Sequence, residues 1–100
     1  PTNKMLNYLN LNKYKVEYSI QAVKQLKKLD KNTQKLIYAW IDKNLQNCEN
    51  PRQNGKALVA NRKGQWRYRI GDYRLIVEIE DEKIKILVLN VGHRRDVYDN

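Results

Sequence analysis

Three arginines bracket one tight turn: Arg67 and Arg69 precede Gly71-Asp72, and Arg74 follows it. The C-terminal stretch adds His93, Arg94 and Tyr98. A guanidinium offers a planar fork of donors matched to phosphate oxygens and stays charged at any physiological pH. Arginines grouped with one histidine and one tyrosine suit cleavage of RNA by its own 2′-hydroxyl. That reaction needs positive charge on the pentavalent phosphate, a base near the 2′-oxygen and an acid near the leaving 5′-oxygen. With a single histidine and no cluster of carboxylates or thiols beside it, neither a metal nor another cofactor is expected. Each residue also has a plainer use: His93 as a hydrogen-bonded terminal histidine, Tyr98 as an aromatic anchor for the chain end.

Strand register decides whether the arginines meet. A two-residue turn at Gly71-Asp72 sets Ile70 opposite Tyr73, Arg69 opposite Arg74 and Arg67 opposite Ile76, so the three arginines share one sheet face. The other face receives Trp66, Tyr68, Ile70, Tyr73, Leu75, Val77 and Ile79. A second turn at Asp81-Glu82 would add Ile84, Ile86 and Val88 to that apolar face and set Glu78 opposite Lys85. Arg69 facing Arg74 costs stability through like-charge repulsion, which a bound anion would offset. An antiparallel last strand ends beside Tyr73, so Gly92-His93-Arg94 is expected to emerge next to Arg69 and Arg74, with Tyr98 folding back over them.

The elements that must carry these residues follow from periodicity. Lys15 to Tyr18 alternates as a strand. Ser19 then suits the N-cap of a helix bearing Val23, Leu26 and Leu29 on one face. Leu36, Ile37, Trp40, Ile41, Leu45 and Cys48 recur as the apolar face of a second helix, which Asn50-Pro51 ends. Arg52 to Gly64 reads as loop. Three strand-like runs then cover Gln65 to Ile70, Tyr73 to Glu80 and Ile84 to Val91. The expected fold is α+β, with an N-terminal strand, a two-helix hairpin and a three-stranded antiparallel meander whose apolar face the helices cover. Residues 14–100 form this domain, and residues 1–13, rich in Asn and weakly periodic, form an N-terminal extension.

One hundred residues support one modest core. Twenty Lys and Arg against 11 Asp and Glu leave a formal charge of +9, which favours a polyanion or an acidic partner protein. The two cation types are unevenly spread: all seven arginines lie at or after Arg52, whereas nine of thirteen lysines precede it. The early lysines, such as Lys24, Lys27 and Lys31, suit solvated helix faces. Cys48 is the only cysteine, which excludes an internal disulfide and fits a cytoplasmic setting. No apolar run approaches the roughly 20 residues that cross a bilayer, so no membrane association is expected.

The order of elements, together with Trp66-Arg67-Tyr68-Arg69-Ile70-Gly71-Asp72-Tyr73-Arg74 and Val91-Gly92-His93-Arg94-Arg95-Asp96-Val97-Tyr98, resembles the RelE branch of the RelE/ParE toxin superfamily. The likeness runs from about Tyr14 to the end. It implies the toxin of a type II toxin-antitoxin system, a metal-independent endoribonuclease that cuts mRNA codons in the ribosomal A site. The implied partners are the ribosome with its mRNA and a RelB-like antitoxin that inhibits by forming a hetero-oligomer. It further implies that Arg67 and Arg74 stabilise the transition-state charge, that Arg69 is the second basic position before the turn, that Arg94 serves the leaving group and that Tyr98 serves the nucleophile. Where the best-known RelE carries lysines, this chain has Arg67, Arg69 and His93. Arginine effectively cannot give up its proton, and histidine is the side chain most suited to do so near neutral pH, so His93 is expected to share proton transfer with Tyr98. Two alternatives are a ParE-like inhibitor of DNA gyrase, whose relatives generally lack this arginine and tyrosine set, and an inactive co-repressor bound to antitoxin.

Overall fold

The computed structural model describes residues 13–59, 62 and 64–97. The expected N-terminal extension therefore lies outside the described residues except for Lys13. Along the chain run β1 (Lys15–Tyr18), α1 (Ile20–Lys27), α2 (Lys31–Asn44), β2 (Lys56–Ala57), β3 (Gln65–Ile70), β4 (Tyr73–Glu80), a 3-10 turn (Asp81–Lys83) and β5 (Lys85–His93). The five strands form one sheet in the order β1-β5-β4-β3-β2. β1 and β5 run parallel, with Lys15 opposite Lys85 and Tyr18 opposite Val88, and the other neighbouring pairs of these five strands are antiparallel.

Both helices begin where a side chain satisfies an orphan backbone donor. Ser19 Oγ accepts from the Ala22 N–H at 3.0 Å, and Asp30 Oδ2 accepts from the Thr33 N–H at 3.2 Å. Ala22 and Leu26 of α1, and Ile37 and Ile41 of α2, are fully buried because spacings of four keep them on one stripe. Leu45 continues that stripe past the end of α2 and is also buried. Leu36, expected on the same face, is instead 57% exposed; one residue before Ile37, it is rotated about 100° off the stripe. Under the helices lie Tyr68, Leu75, Val77, Ile86 and Val88, each fully buried. Trp40 packs on Tyr68 with ring centroids 5.4 Å apart.

The first hairpin has the expected register, with Arg69 opposite Arg74 and Arg67 opposite Ile76. Gly71 takes φ +60° at the first central position of its turn, a backbone shape that glycine adopts without steric cost. The second connection differs from expectation. Asp81-Glu82 has no glycine or asparagine at the second position, where a two-residue hairpin turn favours one, and the chain uses the 3-10 turn followed by Ile84 at φ +51°. The longer connection shifts the register by two, so Glu80 faces Lys85 and Glu78 faces Leu87. Because the shift is even, Ile86 and Val88 keep their places on the core face. Leu89 is then inserted as a bulge between the pairs Val77–Val88 and Ile76–Asn90.

A fifth strand was absent from the sequence-based expectation. Lys56 pairs with Arg67 and Ala57 with Trp66; two residues are too few to show any periodicity. Gly55 makes this edge possible. A Cβ there would overlap the Trp66 indole and come within 2.6 Å of the Arg67 carbonyl oxygen.

Candidate functional site

The sheet face turned away from the helices carries the charged residues in rows. At the end far from the Gly71 turn, Lys85 Nζ lies 3.7 Å from Glu80 and 3.5 Å from Glu17. At the turn end the register sets Lys56 beside Arg67 and Arg67 beside Ile76, and in the next row Arg69 beside Arg74 and Arg74 beside Gly92. No carboxylate stands among these cross-strand neighbours. Arg67 and Arg74 are half-buried, each with a buried Nε, whereas Arg69 and Arg94 are exposed.

Arg69, Gly71, Tyr73, Arg74 and Arg94 line a concavity of about 130 Å³. Three guanidinium-bearing residues thus converge there, one from each hairpin strand and one from the chain beyond β5. Arg94 is tied to the turn by its own N–H, which donates to the Asp72 carbonyl at 2.8 Å. An anion in this concavity would receive charge-assisted hydrogen bonds from groups already in place. Arg67 opens instead onto a neighbouring concavity of about 220 Å³ that shares Arg69 and adds Gln53, Asn54, Gly55 and Lys56.

The fold brings Gly92-His93-Arg94 next to Arg74 as expected, but His93 is not among the residues that line the arginine concavity. His93 pairs with Tyr73, whose ring packs against the core cluster, and cross-strand partners point to the same face. The two rings meet edge to face at 5.5 Å. The Leu89 bulge lies on the stretch of β5 that leads to this pairing. His93 Nδ1 accepts from the Arg95 N–H at 3.2 Å, which helps to set the turn that follows.

That turn returns the chain to the arginine face. The N–H groups of Asp96 and Val97 donate to the His93 carbonyl at 2.8 and 3.1 Å. Val97 is buried in a small second cluster with Leu58 and Ile76. Gly92 permits this close return, since a Cβ on it would lie 2.8 Å from Val97 Cγ2. Tyr98, the next residue, lies outside the described residues. A glycine within a strand-like run is a sequence sign of such a close approach, but the partners Leu58 and Val97 carry no periodic signal. Among the described residues, no group of three or more His, Cys, Asp or Glu gathers to hold a metal.

Loop Pro51–Gly55, which borders the larger concavity, is fixed at several points. Arg52 grips Asp81 with two hydrogen bonds of 3.1 and 2.9 Å, and Tyr14 donates to the same carboxylate at 2.6 Å. The Arg52 guanidinium, and then the Tyr14 hydroxyl, hold the Asp81 carboxyl below its usual pKa. The Tyr68 hydroxyl donates to the Pro51 carbonyl, and burial pushes that phenol upward.

The profile of the ParE toxin of the parDE type II toxin-antitoxin system matches residues 16–98. The chain belongs to the RelE/ParE family of type II toxins. Toxin RelG of Mycobacterium tuberculosis is 31% identical over 85 residues, spanning 85% of this chain and 95% of that protein. Among solved structures, a RelBE toxin-antitoxin complex from the same organism superposes with a TM-score of 0.75 at 30% identity, over 84% of this chain and 94% of that one. The archaeal RelE–RelB complex of Pyrococcus horikoshii gives 0.64 at 25% identity, over 85% and 99% of the two chains. The intact RelBE complex of Escherichia coli gives 0.63 at 23%, a likeness of fold, over 80% and 95%. The toxin has no helix among its described residues long and apolar enough to cross a membrane.

Proposed function

We propose that this toxin is a ribosome-dependent endoribonuclease that cleaves mRNA in the A site by attack of a 2′-hydroxyl on the adjacent phosphate. The observation that carries this reading is the convergence of Arg69, Arg74 and Arg94 on one concavity. Arg69 facing Arg74 is an arrangement that packing alone disfavours. Arg74 and Arg67 take the charge that develops on the phosphoryl oxygens, and Arg69 holds the backbone. Arg94 serves the leaving 5′-oxygen. Tyr98 follows Val97, which packs on the arginine face, and it serves the 2′-hydroxyl. Arginines carry protons poorly, so the ribosome is needed to position the attacking hydroxyl, and that positioning is worth many powers of ten.

His93 acts in this scheme chiefly as a positioning residue. Its ring rests on Tyr73 and its Nδ1 orders the turn that carries Arg94 and Val97. His93→Gln is expected to slow single-turnover cleavage on programmed ribosomes only a few-fold. A drop of about 10²–10⁴-fold, the usual range for general acid–base catalysis, would instead show that His93 transfers the proton.

The natural inhibitor in this reading is a RelB-like antitoxin, as in the solved complexes of the related toxins, which forms a hetero-oligomer with the toxin. The formal charge of +9 favours acidic segments in that partner. Primer extension on translated mRNA after induction tests the nuclease reading, and cuts in register with codons are expected. The profile match bears the ParE name, so gyrase inhibition is the second reading. A supercoiling assay tests it, and inhibition of purified gyrase without mRNA cuts would replace the nuclease.

A further inference from the structure

We infer that the loop Arg52–Lys56 forms a second nucleotide subsite, which reads the base next to the cleaved phosphate; this rests on the nuclease reading above. The larger concavity, about 220 Å³, is lined by Gln53, Asn54, Gly55, Lys56, Arg67 and Arg69. Arg69 also lines the smaller arginine concavity, so the two basins adjoin along the path of one RNA strand. Among the described residues, the lining pairs two carboxamides with three cations and has no carboxylate.

The two residue types divide the recognition. Cations bind phosphates and fix the register of a nucleic acid without reading its sequence. Carboxamides present a donor and an acceptor side by side, and so can match the edge of a base. Gln53 and Asn54 are exposed, and among the described residues neither side chain takes part in a hydrogen bond, so no structural duty accounts for them. Lys56 stands opposite Arg67 in the sheet register, extending the cationic face toward the edge strand.

The loop is held as a recognition element requires. Arg52 is forked onto Asp81, Pro51 is anchored by the buried Tyr68, and Gly55 is seated against the Trp66 indole. Its carboxamides are therefore presented from a fixed backbone, at little entropic cost on binding.

The test uses intact toxin on ribosomes programmed with mRNAs that vary in each base flanking the cut. Wild-type toxin is expected to prefer certain bases at one flanking position. The double variant Gln53→Ala/Asn54→Ala is expected to lose that preference, by roughly three- to tenfold in relative kcat/KM per lost contact, with an unchanged melting temperature. Lys56→Gln is expected to weaken cleavage of all sequences evenly. Equal preference in wild type and double variant, uniform slowing by the double variant, or no flanking preference in wild type would each overturn the subsite while leaving the nuclease intact. Absence of cutting by wild type would overturn the nuclease reading and the subsite with it.

Discussion

The two ends of the outer sheet face use cations in opposite ways. At one end Lys85 sits between Glu80 and Glu17, and its charge is answered within the fold. At the other, Arg69 stands opposite Arg74, and Lys56 opposite Arg67. At the first end the carboxylates of Glu80 and Glu17 stand beside Lys85, which itself faces Lys15, whereas at the turn end no carboxylate stands among the cross-strand neighbours of the facing cations, a like-charge cost that a bound anion would offset. On the proposed reading, the difference separates a structural charge from a substrate-binding one on the same surface.

The largest effect should come from the turn end. Arg74→Ala is expected to lower single-turnover cleavage by about 10²–10³-fold, the scale of losing one donor to a developing oxyanion. The melting temperature, measured alongside, checks that the variant remains folded. A comparable loss of cleavage from Lys85→Met would erase the distinction between the two ends.

Gly92→Ala should act next, through geometry rather than charge. The new Cβ would press on Val97 and lift the returning chain from Ile76 and Leu58. We expect a loss of about 1–3 kcal/mol of stability, as for overpacking elsewhere, and up to about 10²-fold in cleavage from misplacement. Urea melts and ribosome assays measure the two separately. Normal cleavage by a stable Gly92→Ala protein would show that the C-terminal return does not shape the site.

Lys85→Met should cost at most about 1 kcal/mol, the upper range for ion pairs with partly exposed members, and should leave cleavage unchanged. The smallest effect concerns acid. Asp81 and Asp30 both have carboxyl pKa values lowered in the fold, Asp81 chiefly by Arg52 and Asp30 chiefly by Thr33. The stability they add is complete above the unfolded carboxyl value of about 4 and drains as pH falls through the folded values. The melting temperature should therefore drop less between pH 6 and pH 3 in Asp81→Asn than in wild type. An equal drop in both would mean that the Arg52 latch adds nothing.

The arginine hairpin was legible in the sequence because a glycine turn fixes register over a short span and alternation does the rest. The helix stripe through Ile37, Ile41 and Leu45 was legible for the same local reason. The fate of His93 was not. The face it takes depends on the bulge at Leu89, which changes the alternation within β5 where no glycine or proline marks the irregularity. Lys56 was missed because a two-residue edge strand is defined by its partner rather than by its own pattern. The cluster of Leu58, Ile76 and Val97 joins three distant segments and has no periodicity to betray it.

The parallel pairing of β1 with β5 has a temporal consequence. Lys15 meets Lys85 across 70 residues of chain, and β5 is also the strand that leads to Arg94. Long-range pairing of this kind is slow to form and must wait for both partners. During synthesis the first strand emerges early and has no neighbour in the sheet until the last strand leaves the ribosome. A nascent chain therefore carries its arginine hairpin before it can assemble the whole basin, which stays unfinished until β5 and Arg94 have left the ribosome.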